Sequence, residues 1–461
     1  MEYEDTGRTK NNQVKSAKKT RDMTTGTIWK HIVMFAIPLL IGNFFQQFYN
    51  AVDSVVVGNY VSKQALAAVG STGPVINTLV GFFMGLSTGA GVVISHYFGG
   101  KNEKGLHQAI HTTFLMTFIL CVVMTIVGIS MVPFMVRFMK TPQDVLKEST
   151  EYLRIYFAGI SGLMIYNMGS GILRAVGDSK RPLYFLCMSS VINIVLDLVF
   201  VIAFRMGIAG VAWATVISQL ISACMVLVVL TRTKESYRLI WRDLHLSGHI
   251  VRKICVIGIP AGLQMAVTSF SNVFVQSYIN HFGSACMAGW TSYTKVDQFV
   301  ILPMQSISLA ATTFVGQNVG ANQTERAHQG RKTALRVAIF VTLVLTVILF
   351  AAATPIIRLF TPDPEVLEFG RVFLKFMAPF YVCCCFNQIT AGTLRGFGDA
   401  NGPMLIMLSS FVVFRQIYLA VSTWLADSIY VVAFAYPAGW IVCSLAIGFY
   451  YRKKFGYSKS D

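Results

Sequence analysis

The chain has 461 residues, of which 54% are hydrophobic, 13% aromatic and only 13% charged. Soluble domains carry about 25% charged residues, so a soluble enzyme of this length is excluded. A soluble body on a single anchor is excluded too, because apolar runs recur along the whole chain. The net charge of +17 would suggest nucleic acid in a soluble chain; in a membrane chain it has to be read against loop topology first.

Residues 1–31 are polar and contain no cleavable signal peptide. Beyond them, apolar runs bounded by charge and Gly/Pro clusters predict twelve helical spans. In chain order they cover 32–58, 66–97, 107–135, 150–174, 182–204, 207–231, 253–280, 287–318, 333–357, 369–394, 403–425 and 428–451. The fold class is therefore an all-α polytopic membrane protein. Its expected organisation is a tail (1–31), an N-lobe of six spans (32–231), a linker (232–252), a C-lobe of six spans (253–451) and a second tail (452–461). With both termini on one side, 27 Lys/Arg fall on that side and 7 on the other, while Arg154, Lys295, Lys375 and Arg415 lie within spans. Short loops rich in Lys and Arg stay inside, so both termini are expected to be cytoplasmic, in a cell membrane. The charge then marks topology, with the lipid bilayer as partner and no nucleic acid.

The halves repeat each other. GILRAVGDSKRP at 171–182 matches GTLRGFGDANGP at 392–403, an offset of 221, which also pairs Gly99 with Gly320. With one residue of slippage Ile37-Pro38 pairs with Ile259-Pro260, and Asn50 with Asn272. An offset spanning six helices gives two lobes in parallel orientation, an arrangement that places a substrate cavity at the lobe interface and supports alternating access.

Eighteen of the 21 acidic residues lie in tails, loops or span ends; Asp53, Asp197 and Asp297 do not. An acid at mid-membrane costs about 2.5–3.5 kcal/mol on insertion scales, so each needs a reason. Asp53 ends a stripe of Asn43, Gln46, Gln47 and Asn50 on one face of the first span. Five polar groups on one face predict a water-filled wall rather than a helix seam glued by one or two amides. Pro38, nearer the cytoplasm, removes a backbone N–H and marks a bend. Asp197 has Asn193 one turn earlier, and Thr215 lies on the next span. Two carboxylates with an amide and a hydroxyl suit a proton or Na⁺. The second lobe's stripe, Gln264, Thr268, Asn272 and Gln276, is polar but uncharged, and Tyr418 stands where the repeat would place a partner for Asp197. Coupling is thus expected in the N-lobe and substrate contact in both. Arg415 either lines the cavity or pairs with a backbone carbonyl, and Asp297 and Lys295, two residues apart on a helix, are expected to have separate partners.

Three motif matches are discounted. Gly85-Leu86-Ser87-Thr88-Gly89 fits a hydrolase elbow but lies in an apolar helix, where Gly81, Gly85 and Gly89 have the spacing of close helix packing. His107 and His111 have zinc-pair spacing, but Gln108 replaces the catalytic Glu, and a solvated pair is expected. No phosphate-binding G-x-x-x-x-G-K-[ST] loop is present, so no ATP hydrolysis is expected. With no nucleophile–base pair either, an enzyme is not expected. The nine cysteines suggest no disulfide framework.

The run FAIPLLIGNFFQQFYNAVDSVVVG, the paired loops FGGKNEKG and VGANQTER, LRAVGDSKRP with LRGFGDANGP, and NIVLDLVF resemble the multidrug and toxic compound extrusion (MATE) family over residues 28–452. The resemblance implies two six-helix bundles opening alternately, exporting cationic and amphipathic compounds in exchange for Na⁺ or H⁺. By position, Asp53, Asn193, Asp197 and Thr215 match the N-lobe cation site of the DinF-like branch. Gln46, Asn167 and Tyr152 would lie near it, and Pro38 would be the bending point. The NorM-like branch carries a carboxylate in span seven, where this chain has Thr268, which favours the DinF-like branch. The implied activity is secondary antiport of small molecules by a chain working as a monomer, with H⁺ or Na⁺ as coupling ion and no other cofactor. A flippase for lipid-linked saccharides and an ion channel are the competing readings; the first would need cationic cavity residues, for which Arg415 is the sequence's main candidate.

Overall fold

The computed structural model describes residues 22–139, 141–426 and 428–456. Inside a bilayer each segment must satisfy its own backbone N–H and C=O groups, and the described residues form helices with no strand. In chain order the long helices are α1 Ile28–Tyr60, α2 Lys63–Gly99, α3 Glu103–Phe138, α4 Leu146–Ala158 resuming as Ile160–Ala175, α5 Lys180–Ala203 and α6 Gly207–Arg232. The second half follows with α7 Gly248–Asn280, α8 Ser284–Gly320, α9 Thr324–Ala351, α10 Pro364–Gly396, α11 Asn401–Leu425 and α12 Ile429–Phe455. Eleven are long and apolar enough to cross a membrane. The twelfth predicted span, α4, is interrupted at Gly159, where an added Cβ would lie 2.2 Å from Val216 Cγ1 of α6. Outward faces are apolar: Val122, Ile126 and Phe134 of α3 and Phe340 and Val347 of α9 are at least 60% exposed, as expected of surfaces that meet lipid. All nine cysteines are free.

The repeated motif has one geometry in both halves. Gly177 and Gly398 adopt φ of 85° and 89°, a conformation that glycine takes without steric cost. The next residue caps the following helix: Asp178 Oδ1 accepts from the Lys180 and Arg181 N–H groups at 3.1 Å, and Asp399 Oδ1 from the Gly402 N–H at 3.0 Å. Asp399 Oδ2 also takes the Tyr450 hydroxyl (2.6 Å) and the Lys454 ammonium. Burial raises the Asp399 carboxyl, but bonds from Lys454, Tyr450 and the Gly402 N–H outweigh it and hold it below its ordinary 3.8. A depressed folded value stabilises above the unfolded one and loses that stabilisation as pH falls. Asp399→Asn is therefore expected to lower the melting temperature at neutral pH by the equivalent of at most about 1 kcal/mol, since the pair is partly solvated. Melting curves of the two proteins should converge below about pH 4; a gap that widens on acidification would refute this account.

The lobes meet along glycines. A Cβ on Gly85 would lie 2.1 Å from the Gly262 backbone N, and one on Gly89 2.5 Å from the Gly258 N, so α2 and α7 touch backbone to backbone. At the face where the described residues begin and end (the terminal face), the seam is reciprocal. His96 Nε2 is bonded to the Gly396 carbonyl at 2.8 Å, and Gln317 Nε2 donates to the Ala175 carbonyl at 2.8 Å. Both members of each bond are related by the offset of 221. Gly99 meets Gln317, and Gly320 meets His96, at separations that leave no room for a Cβ.

The first helix of each half lends its beginning to the other half's core. Ile32, Phe35, Ala36 and Leu39 of α1 pack in the cluster built from the end of α7 and from α8 to α12, with Met23 beside them. Ile250, Ile254 and Ile257 of α7 pack in the cluster built from α2 to α6. The chain before α1 is fastened to the second half: the Met23 N–H donates to Gln317 Oε1 (3.0 Å), and Arg326 donates to the Gly26 carbonyl (2.7 Å).

Candidate functional site: a carboxylate pair beside an interlobe cavity

Asp53 lies in the far half of α1, past the stretch anchored in the other lobe, and Asp197 lies near the end of α5. Immediately beyond it, Val199–Ala203, the helix widens into π-helical turns, a distortion often found at functional positions. The two carboxyls are neighbours, side chain beside side chain. Asp197 is fully buried and Asn193 1% exposed. With both acids ionised, Asp53 Oδ1, both Asp197 oxygens and both polar atoms of Asn193 are buried without a partner. Leaving such atoms unpaired costs about 1–3 kcal/mol each, and more for charged groups, so the cluster favours any species that donates to or neutralises these oxygens. The phenols of Tyr49 and Tyr152 stand near the pair, and Tyr49 lies beside Gln46. Tyr49 was missed in the sequence because a tyrosine in an apolar run reads as packing. Thr215 is buried on α6, but its hydroxyl donates to the Val211 carbonyl (3.1 Å) and makes no bond to either acid.

Beside this cluster, between the lobes, lies a cavity of about 430 Å³. Its wall includes Asn43, Gln46 and Tyr49 of α1, Asn167 of α4 and Asn193 of α5, so Asn193 belongs to cavity and cluster alike. The pseudo-symmetry runs through it: Ser87 Oγ donates to the Asn167 carbonyl at 2.8 Å, and Ser308 Oγ to the Gln388 carbonyl at 2.7 Å. Gln46 and Asn167 line this cavity. Gln47, Asn50, Gln264, Thr268 and Asn272 are not part of this wall, and Tyr152 lies at the carboxylates rather than on the cavity.

The family model described as MatE matches this chain twice, over residues 38–199 and 260–421. The chain belongs to the MATE family. Among its relatives, the probable multidrug resistance protein YoeA of Bacillus subtilis is 29% identical over 441 residues, covering 94% of this chain and 95% of that one. YpnP of the same organism, also described as a probable multidrug resistance protein, is 30% identical over 415 residues, covering 89% and 92%. A MOP superfamily transporter from Pyrococcus furiosus shares the fold with a TM-score of 0.89 at 23% identity, over 95% of this chain and 98% of that one. The protein is thus a multi-pass MATE transporter of two six-helix lobes.

Three other intramembrane charges of this MATE transporter, Arg415, Asp297 and Lys295, have local partners. Arg415 follows a π-helical stretch, Ser409–Phe414, and donates to Ser271 Oγ (2.8 Å) and Asn272 Oδ1 (2.9 Å) beneath the Tyr436 ring. It therefore meets side chains rather than a cavity or a carbonyl. Asp297 accepts from Tyr381 (2.7 Å) and Tyr293 (3.2 Å), while Lys295 lies over Phe360, so the two do have separate partners. Tyr418 is tied to the Val431 carbonyl. One expectation fails. His107 and His111 are not a solvated pair, because His111 is fully buried. Its Nδ1 is bonded to the His107 carbonyl and its Nε2 accepts the Ile240 N–H (3.0 Å), while His107 pairs with Asp243 (3.2 Å). Asp243 could converge with both rings on a metal, but His111 Nε2 is already engaged in fastening the interlobe linker to α3 and Nδ1 is bonded to the His107 carbonyl.

Proposed function

We propose that this MATE transporter is a secondary antiporter exporting cationic or amphipathic small molecules in exchange for H⁺ or Na⁺, working as a monomer in the cell membrane with the terminal face cytoplasmic. The observation that carries the reading is the group Asp53, Asn193 and Asp197, whose buried polar atoms lack partners, adjoining an interlobe cavity. The cation neutralises the pair when loaded from outside. It leaves when the site faces the cytoplasm, and substrate enters the cavity in its place. The carboxylates in α1 and α5, with Thr268 where the NorM-like branch has an acid, favour the DinF-like branch. The relatives described as multidrug resistance proteins support small-molecule export.

Proteoliposomes given an imposed ΔpH or an imposed Na⁺ gradient, one at a time, test the proposal. Ethidium accumulation driven by one gradient and collapsed by the matching ionophore is the expected result. Accumulation indifferent to both gradients would sink it. The bend is tested separately. Pro38→Ala restores a backbone donor within α1 and is expected to slow turnover about tenfold, a barrier increase near 1.4 kcal/mol. Cation and substrate binding should change little; an unchanged rate would remove Pro38 from the mechanism.

A further inference from the structure

The wall of the interlobe cavity carries two arginines, Arg174 and Arg395, and no carboxylate among the described residues. They occupy equivalent positions of the two LR-x-x-GD motifs, one in each lobe. Arg395 is 8% exposed, and its Nε is buried without a partner. Neither guanidinium forms an ion pair or hydrogen bond with a described residue. The acids of the same motifs are occupied elsewhere, Asp178 with Arg181 and Asp399 with Tyr450 and Lys454. Each arginine adjoins the carbonyl that latches the opposite lobe: Ala175, held by Gln317, and Gly396, held by His96. Two unpaired cations lining one low-dielectric cavity repel each other and lack the solvation that water would give. Guanidinium groups match phosphate and carboxylate oxygens in bidentate geometry.

We propose that Arg174 and Arg395 form an anion-binding pole of the interlobe cavity, taking the phosphate or carboxylate group of an amphiphile at the latch between the lobes. The inference deepens the antiport reading and rests on it only for the cavity being the transport path. The carboxylate cluster and the arginine pair then give the site two poles of opposite charge. Amphiphiles bearing a net negative charge become substrates alongside simple cations. An anion held by one arginine from each lobe also bridges the latch, so its departure accompanies opening of the terminal face.

Binding without transport provides the test. Purified protein in phosphatidylcholine nanodiscs is titrated with 2-naphthyl phosphate and with 2-naphthylmethylammonium, followed by naphthyl fluorescence anisotropy. Wild type is expected to prefer the phosphate by at least about tenfold, with inorganic phosphate competing. Arg174→Gln/Arg395→Gln should abolish the preference while leaving ammonium binding intact, and Arg174→Lys/Arg395→Lys should recover part of it. Where the double variant does not elute as a single folded species, Arg174→Gln alone, at the more exposed position, carries the comparison. Nanodiscs containing phosphatidylglycerol distinguish sources: competition there, absent in phosphatidylcholine, identifies a lipid headgroup as the anion, and no competition identifies a free solute. Equal affinity for the two probes, or a preference that survives in the folded double variant, overturns the proposal. Either failure leaves the gradient experiment above untouched, so the two readings fall separately.

Discussion

Asp53→Asn and Asp197→Asn, made separately, are each expected to cut drug efflux from cells at least about tenfold, the kinetic equivalent of about 1.4 kcal/mol or more. Asn keeps the shape of Asp and removes the charge that holds a proton or Na⁺. The two carboxyls are neighbours, so they are expected to act as one binding group, and the double variant should be no worse than the poorer single one. Folded protein should persist in both, because a neutral amide is easier to bury than a carboxylate. Efflux within about twofold of wild type in both variants, measured at matched membrane abundance, would remove the coupling role from this pair.

The second large effect concerns the seam. Gly85→Leu must push α7 away, since even a Cβ would lie 2.1 Å from the Gly262 N and 2.2 Å from its Cα. Backbone atoms cannot rotate aside as a side chain can. The expected cost is about 3 kcal/mol or more, read as loss of monodisperse protein or a sharply lowered melting temperature. Gly70→Leu in the same helix is the control, because nothing lies within 4 Å of a Cβ there. It changes helix propensity equally and should be close to neutral. Equal behaviour of the two variants would refute the backbone contact between α2 and α7.

Much of this was legible in the sequence, for identifiable reasons. Spans are legible because the bilayer demands long apolar runs, and the repeat because Gly177-Asp178 and Gly398-Asp399 need the same φ and the same cap. Asp53 and Asp197 stood out because a membrane excludes unexplained acids. Periodicity reveals which face of a helix is polar but not which neighbour that face meets. Gln264 and Asn272 therefore read as cavity wall, although Asn272 is tied to Arg415. Arg174 and Arg395 were hidden by the opposite error. They sit in a motif whose Gly and Asp form a turn, and the whole motif reads as loop. The interruption of α4 was silent because it depends on Val216, a residue 57 positions away in α6.

The exchange of helix beginnings bears on biosynthesis. When the first six helices have been made, Ile32, Phe35 and Met23 have no partners, because those partners lie in the end of α7 and in α8 to α12. The core of the first six helices is also unfinished until Ile250, Ile254 and Ile257 arrive with α7. Neither half can complete its packing while the other is missing, so insertion of α7 is the step that commits the first half. A ribosome stalled before α7 would leave an apolar chain for membrane quality control to recognise.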